Sequence, residues 1–335
     1  MIPLRHRLLE SASCGLLACA AAIAPARIAH AAEDAARYPS HPVRLVVTYP
    51  PGGGTDIVAR IIAPRLGESL GQPVVIDNLG GAGGTIGTAQ VAKAAPDGYT
   101  LLFGTTSGLV INPLLKKDLP YDPVRDFAPI GMVVSTPQML VVKAGLPVAS
   151  VGELVAYAKH HPDKLNYASV GVGTPNHIAM EMFKSMTGTR LVHIPYKGAG
   201  PAINDLLGGQ VDLMFNPIAP LLRQVNAGTI KALAVSSAKR SSAAPALPTV
   251  AEAGVPGFES DLWYGLFAPA GTPRPLIEKL SAALARVLAE PDIARKLVEQ
   301  GAEPRPGSPD EMRTTMRVAS EHLARLIKAA SITAE

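Results

Sequence analysis

Strand-like and helix-like segments alternate along most of this 335-residue chain, and that alternation limits its fold more than any other feature. Short apolar runs at Val43–Tyr49, Val74–Asn78 and Thr100–Thr105 predict strands. Between the first two, Ile57, Val58, Ile61, Ile62 and Leu66 recur at the spacing of one helix face, and Ile86–Ala95 predicts a second helix. Strands at 130–135 and 139–143 follow a proline-punctuated stretch. The same grammar then resumes, with helices predicted over 151–160, 175–187 and 199–207 among strands at 165–169, 190–194, 211–216 and 230–236. Ser150 with Glu153, Thr249 with Glu252, and Ser308 with Glu311 have the spacing of capping boxes at helix starts. A strand at 262–268 and helices from Arg274 to the C-terminus complete the pattern. Strands alternating with helices imply an α/β protein with largely parallel sheets, and the length implies two domains.

Hydrophobic residues make up 47% of the chain and charged ones 17%, enough apolar material for well-filled cores. The net charge is +4, and Arg5, Arg7 and Arg27 against Glu10 account for half of it, so the remainder argues for neither nucleic acid nor a membrane surface. Those residues belong to a start with the grammar of a Sec-type signal peptide spanning 1–31. Arg5, His6 and Arg7 precede a small-residue apolar run from Ser11 to Ala24, and cleavage sites follow after Ala26 or Ala31. The run is too short to span a bilayer. Leu16-Leu17-Ala18-Cys19 loosely resembles a lipoprotein box, which offers anchoring at Cys19 as the alternative. Both cysteines, Cys14 and Cys19, fall inside this segment, so a processed chain has no disulfide, no thiolate nucleophile and no Cys-ligated zinc. An exported protein without disulfides suits the periplasm.

Four loops at strand ends carry the chemistry. Tyr49-Pro50-Pro51-Gly52-Gly53-Gly54-Thr55-Asp56 turns from a strand into a helix, with Thr55 or Asp56 placed to cap it. Its glycines admit close backbone approach, and a helix start attracts anions. The phosphate-loop pattern is absent, since Asp56 and Ile57 stand where Lys and Ser would help. Ser169-Val170-Gly171-Val172-Gly173-Thr174-Pro175 repeats the logic in the second half, with Thr174 as cap and His177 in the first helical turn. The hydroxyls of Thr105, Thr106 and Ser107 end a strand, but not in a nucleophile-elbow pattern. Leu79 to Gly87 nearly fits a dinucleotide fingerprint, but Ile86 stands at the third glycine, so the segment reads as a tight connection without a cofactor. The histidines have no metal-ligand spacing. If the halves face each other, these two anion-attracting helix starts would grip a dianion by its two ends, chiefly with backbone N–H groups and hydroxyls.

These motifs, in order, resemble the Bug-type solute receptors of tripartite tricarboxylate transporters. The run 50–56 is joined by Gly81-Ala82-Gly83-Gly84, Ala94 to Leu102, Asn112-Pro113, Asp126-Phe127, Gly171 to His177, Pro195-Tyr196-Lys197-Gly198 and Leu247-Pro248-Thr249. The resemblance runs from about Tyr38 to the C-terminal helices. It implies a two-domain periplasmic-binding-protein clamshell of the Venus-flytrap type, with residues 38–140 and 260–335 forming a discontinuous first domain and 141–259 the second. It also implies a small carboxylate held between the domains, delivery to membrane transporter subunits, no catalysis, and a monomer. Carried over by position, Gly52, Gly53, Gly54, Thr55 and Asp56 with Thr105, Thr106 and Ser107 form the first half of the site. Ser169, Gly171, Gly173, Thr174, His177, Tyr196 and Asn216 form the second. The chain departs from the pattern at Asn78-Leu79-Gly80-Gly81, where relatives often carry Arg-Pro. The alternatives are an exported α/β enzyme acting on a carboxylate or phosphate ester, marked by a perturbed acid or base in the cleft, and a sensory ligand-binding subunit.

Overall fold

A computed structural model describes residues 37–329, so the expected signal peptide and both cysteines lie outside the described residues. Two sheets organise the chain. The first has six strands in the order β11-β4-β10-β3-β1-β2: β1 Val43–Val47, β2 Val74–Asn78, β3 Thr100–Thr105, β4 Phe127–Thr136, β10 Leu262–Pro269 and β11 Glu303–Pro304. The second has five in the order β7-β6-β8-β5-β9: β5 Gln138–Lys143, β6 Asn166–Ser169, β7 Val192–Pro195, β8 Leu213–Pro217 and β9 Ile230–Val235.

The sheets are mixed rather than largely parallel. In the first, β1 runs parallel to β2 and β3, but β10 lies antiparallel to β3 and β4. In the second, β6 runs parallel to β7 and β8, but β5 is antiparallel to β8 and β9. The cause is topological. Only Pro137 separates β4 from β5, so the chain leaves the first sheet at the carboxyl end of β4 and enters the second from that same side. It returns through 236–261 to β10 in the same manner. A strand entered from the carboxyl end of its neighbours must run against them.

Each sheet is covered on both faces. On the first sheet, α1 (Gly54–Leu70), α8 (Arg274–Leu288) and α9 (Pro291–Glu299) pack Ile62, Leu66, Leu280, Leu284 and Leu297 into one core with Leu45, Phe103 and Val133. The other face takes α2 (Thr85–Ala92) and the C-terminal α10 (Pro309–Ala329), which buries Met312 and Met316 beside Trp263 and Phe267. On the second sheet, α4 (Val151–His160) and α5 (Pro175–Thr187) cover one face, while α6 (Ala199–Leu207) and α7 (Ala219–Asn226) cover the other. Leu323 and Ile327 of α10 pack on the core of the second sheet, as does Leu115 of α3 (Asn112–Leu115). Both segments therefore bridge the two sheets.

The Ser308–Glu311 capping box forms in full: Glu311 N–H donates to Ser308 Oγ at 3.2 Å and Ser308 N–H to the Glu311 carboxylate at 2.6 Å. At the other helix start Glu153 N–H donates to Ser150 Oγ at 3.2 Å, but the Glu153 carboxylate accepts from Ala149 N–H, one residue before the cap. Thr249 and Glu252 also bond reciprocally, but only turns follow, because Gly254 adopts φ +112° and Pro256 comes soon after. The expected helix 86–95 is Thr85–Ala92, and a π-helical turn at Ser107–Ile111 follows β3.

Candidate functional site

The carboxyl ends of β1, β3, β6 and β8 meet the start of β10 at a cavity of about 720 Å³ between the two sheets. That size lies within the range of roughly 300–1,000 Å³ usual for small-molecule sites. Gly53, Gly54 and Thr55 line it from the first loop, and Thr105, Thr106 and Ser107 from the end of β3. Gly173 and Thr174 line it from the second loop, and Asn216 from β8. The remaining sequence candidates, Gly52, Asp56, Ser169, Gly171, His177 and Tyr196, are not among the lining residues.

The first loop is fastened from behind. Helix α1 begins at Gly54, with Gly53 at the N-cap and no side-chain cap, so neither Thr55 nor Asp56 caps it. Asp56 instead turns its carboxylate under the loop. It accepts from Gly52 N–H at 2.9 Å, Arg60 Nε at 2.8 Å and Asn78 Nδ2 at 2.9 Å. Burial alone would raise this carboxyl, but the bonds from Arg60, Gly52 and Asn78 outweigh it and hold the pKa at about 2. Ile57 N–H makes the first intrahelical bond, to Gly53 O at 2.9 Å. The N–H groups before it therefore have no partner within the helix, and Gly54 and Thr55, which carry two of them, line the cavity.

The second loop also ends in a helix start, but it frees fewer donors, since Thr174 N–H bonds Gly171 O at 3.3 Å and Pro175 has no N–H. Thr174 sits at the N-cap of α5 without a side-chain cap, its hydroxyl bonded to Gly171 O at 2.6 Å instead. Gly173 adopts φ +70°, a conformation that favours glycine, and a Cβ there would come 2.8 Å from Leu115 Cδ1. The first bridging segment thus abuts the second loop. His177 Nδ1 accepts from Gly173 N–H at 3.1 Å, which requires the unprotonated nitrogen, and burial lowers the imidazole's pKa to match. His177 stacks on His193 at 4.2 Å, and Ser169 Oγ lies 2.6 Å from His193 Nε2. Such a hydroxyl–imidazole pair resembles a nucleophile with its base. Ser169, however, is 0% exposed, does not line the cavity, and also bonds Gly171. Its place is behind the loop, which it shapes. Tyr196 donates to Asp205 Oδ2 at 2.6 Å, away from the cavity.

Other lining groups are also occupied within the protein. Thr106 Oγ1 accepts from Trp263 N–H at 2.9 Å and donates to Trp263 O at 3.3 Å, tying β3 to β10. Asn216 Oδ1 accepts from Asn176 Nδ2 at 3.1 Å. Sequence reasoning passed over Leu262, Trp263 and Tyr264 of β10, and over Asn112, Leu115 and Lys116 of the bridging segment, as site residues. The single Trp and the Asn112-Pro113 motif were the signals that pointed to these segments. Among the described residues, no group of three His, Cys, Asp or Glu is placed to hold a metal, and no helix is long and apolar enough to cross a membrane.

Residues 58–332 match the family described as "Tripartite tricarboxylate transporter family receptor". The chain is 40% identical over 292 residues to Protein BugT of Bordetella pertussis (strain Tohama I), covering 87% of this chain and 89% of BugT. The solved structure of R. palustris Rpa4515 with adipate is similar at TM-score 0.79 and 40% identity, covering 88% of this chain and 99% of that one. The periplasmic binding protein BugD is similar at TM-score 0.76 and 40% identity, covering 89% and 100%. The mixed α/β fold with two sheets is the fold of these binding proteins.

Proposed function

Because the chain belongs to the receptor family of the tripartite tricarboxylate transporters, we propose that it is a periplasmic solute-binding protein that captures a small carboxylate between its two sheets and hands it, unchanged, to membrane transporter subunits. In this reading the six-stranded and five-stranded sheets with their helices are two domains, divided near Pro137 and again near Ser260. The signal-peptide grammar of residues 1–31 supports export. One observation carries the reading: two helix starts without side-chain caps, one from each sheet, open onto the same cavity. Their N–H groups and partial positive charge suit one carboxylate, with no large complement of charged side chains.

A thermal-shift screen of the chain from Ala32 onward, against carboxylates and nucleotides, tests this. A cargo at about 100 times its Kd should stabilise the fold by roughly 2.7 kcal/mol. We expect that shift from carboxylates alone, with the compound recovered unchanged. Gly53→Val should abolish the shift while leaving the free protein's melting point in place, since a Cβ at Gly53 meets only Pro50 O at 3.7 Å. Chemical conversion of the compound, or a shift with nucleotides alone, overturns the reading.

A further inference from the structure

Two stacked imidazoles hold the second loop from behind, one at each end. His193, on β7, places Nε2 2.6 Å from Ser169 Oγ, and that hydroxyl accepts from Gly171 N–H at 3.2 Å. His177, in the first turn of α5, accepts from Gly173 N–H through Nδ1. The two rings lie 14° from parallel, and Tyr167 of β6 stacks on His193 at 4.8 Å. None of these three side chains lines the cavity, whereas Gly173, Thr174 and Asn176 do.

The bond from Gly173 to His177 depends on charge. An imidazole nitrogen accepts only while it carries no proton, so the bond needs the neutral ring with its proton on Nε2. On protonation Nδ1 becomes a donor, and two N–H groups then face each other. One must turn away, and the buried ring is held by its stack on His193, while a glycine peptide is free to change its φ and ψ. Movement of Gly173 carries Thr174 and Asn176 with it. Asn176 N–H is a donor of the helix start without a partner in the helix, because Ile178 makes the first intrahelical bond, to Thr174 O at 2.9 Å.

The surroundings decide which form is stable. Burial and Lys184 disfavour the cation, and Glu181, 4.0 Å from Nε2, favours it. Glu181 is already engaged by Lys184 at 2.6 Å and by the Tyr167 hydroxyl at 2.5 Å. The strands beneath α5 add His193 and Tyr167, and β8 carries no titratable group. Leu115 abuts Gly173, and the Lys116 that follows it donates to Ala82 O at 2.9 Å. α10 also touches α5, but among the described residues none of its titratable groups pairs with His177.

Resting on the carboxylate-binding reading above, we infer that His177 is a positioning residue for the cargo: its neutral imidazole holds Gly173 and the start of α5 in binding geometry, and its protonation releases them, so the protein lets go of its cargo as the surroundings acidify. Affinity is complete while His177 of the free protein is neutral and is lost as pH falls through its pKa, which burial places below the ordinary 6.5.

Calorimetric titration with succinate, butanoate and benzoate, from about pH 7.5 to about pH 4.5, tests this on the wild type and on His177→Asn. Asparagine keeps an acceptor near the position of Nδ1 but does not titrate, so the comparison cancels the cargo's own protonation. With each protein normalised to its affinity at the upper pH, the wild type should lose at least about threefold more than His177→Asn on acidification. Parallel profiles, or a wild type that gains on the variant, overturn the role of His177 and leave carboxylate capture standing. If His177→Asn does not fold, nitrogen NMR of the wild type decides: the Gly173 amide should shift with the midpoint of the His177 ring nitrogens, and an amide that stays in place refutes the coupling. Absence of binding by all three carboxylates at every pH overturns carboxylate capture and the affinity claim with it.

Discussion

Asp56 and Asp261 show how one residue type is pushed in opposite directions by its surroundings. Hydrogen bonds outweigh burial at Asp56, but burial wins at Asp261, where the carboxyl is pushed up to about 6 although Ser135 Oγ bonds it at 2.8 Å. The other oxygen of Asp261 is buried without a partner, and Glu259 and Glu303 raise it further against a smaller opposing effect of Arg305. The folded state therefore holds this proton more tightly than the unfolded chain. Its stabilising contribution is complete below the unfolded value of 3.8 and is lost as pH rises through about 6. Asp261→Asn keeps the shape and removes the ionisation, so the variant should gain on the wild type by about 2 kcal/mol between pH 4 and pH 7.5. Urea titrations at the two pH values measure this, and a difference that does not change with pH refutes it. The glycines of the two loops were legible in the sequence because a turn into a helix is a local backbone property. Tyr264 and Lys116 were not, because their place on the cavity depends on pairings between distant segments. The bond of Thr106 to Trp263, for example, spans 157 positions.

At the level of elements, α10 is the most consequential. Its apolar positions alternate between two duties, with Met312 and Met316 in the core of the first sheet and Leu323 and Ile327 against that of the second. Met312 is fully buried, so Met312→Ala should cost about 2–5 kcal/mol in a chemical-denaturation midpoint. Val318 on the same helix is 51% exposed, and Val318→Ala should stay within about 0.5 kcal/mol. Similar losses from both would refute this division, because alanine raises helix propensity at either position and only burial at Met312 predicts a loss. The helix was readable from its capping box and apolar spacing, which are local. Its bridging of the two sheets was not, since periodicity shows that a face is buried without showing what covers it. The reversed strands β5 and β10 escaped for a related reason. Alternation reveals which segments are strands, while direction is set by the side from which the chain enters the sheet.

The whole molecule is held across the cavity by few connections. The chain passes between the sheets at Pro137 and again at 236–261, and these crossings are cross-braced. Gln138 N–H donates to Ser236 Oγ at 2.9 Å, and Ser236 Oγ donates to Ser260 O at 2.8 Å. These two mutually bonded crossings, one a single residue, can act as a hinge while each sheet with its helices moves as a rigid body. The bridging segments limit that freedom, because Leu115 already abuts Gly173 and α10 packs on both cores. A closure that these contacts leave room for would be a modest rotation, bringing the helix starts at Gly54 and Thr174 toward a common anion. A carboxylate that reached both helix starts only in a closed arrangement would shift the population toward it by that difference in affinity. Small-angle X-ray scattering with and without a saturating carboxylate identified by the thermal screen should show a smaller radius of gyration with ligand and an unchanged molecular mass. Superimposable profiles would mean that the cavity is already set in its binding geometry, with Leu115 and α10 holding the sheets fixed before any ligand arrives.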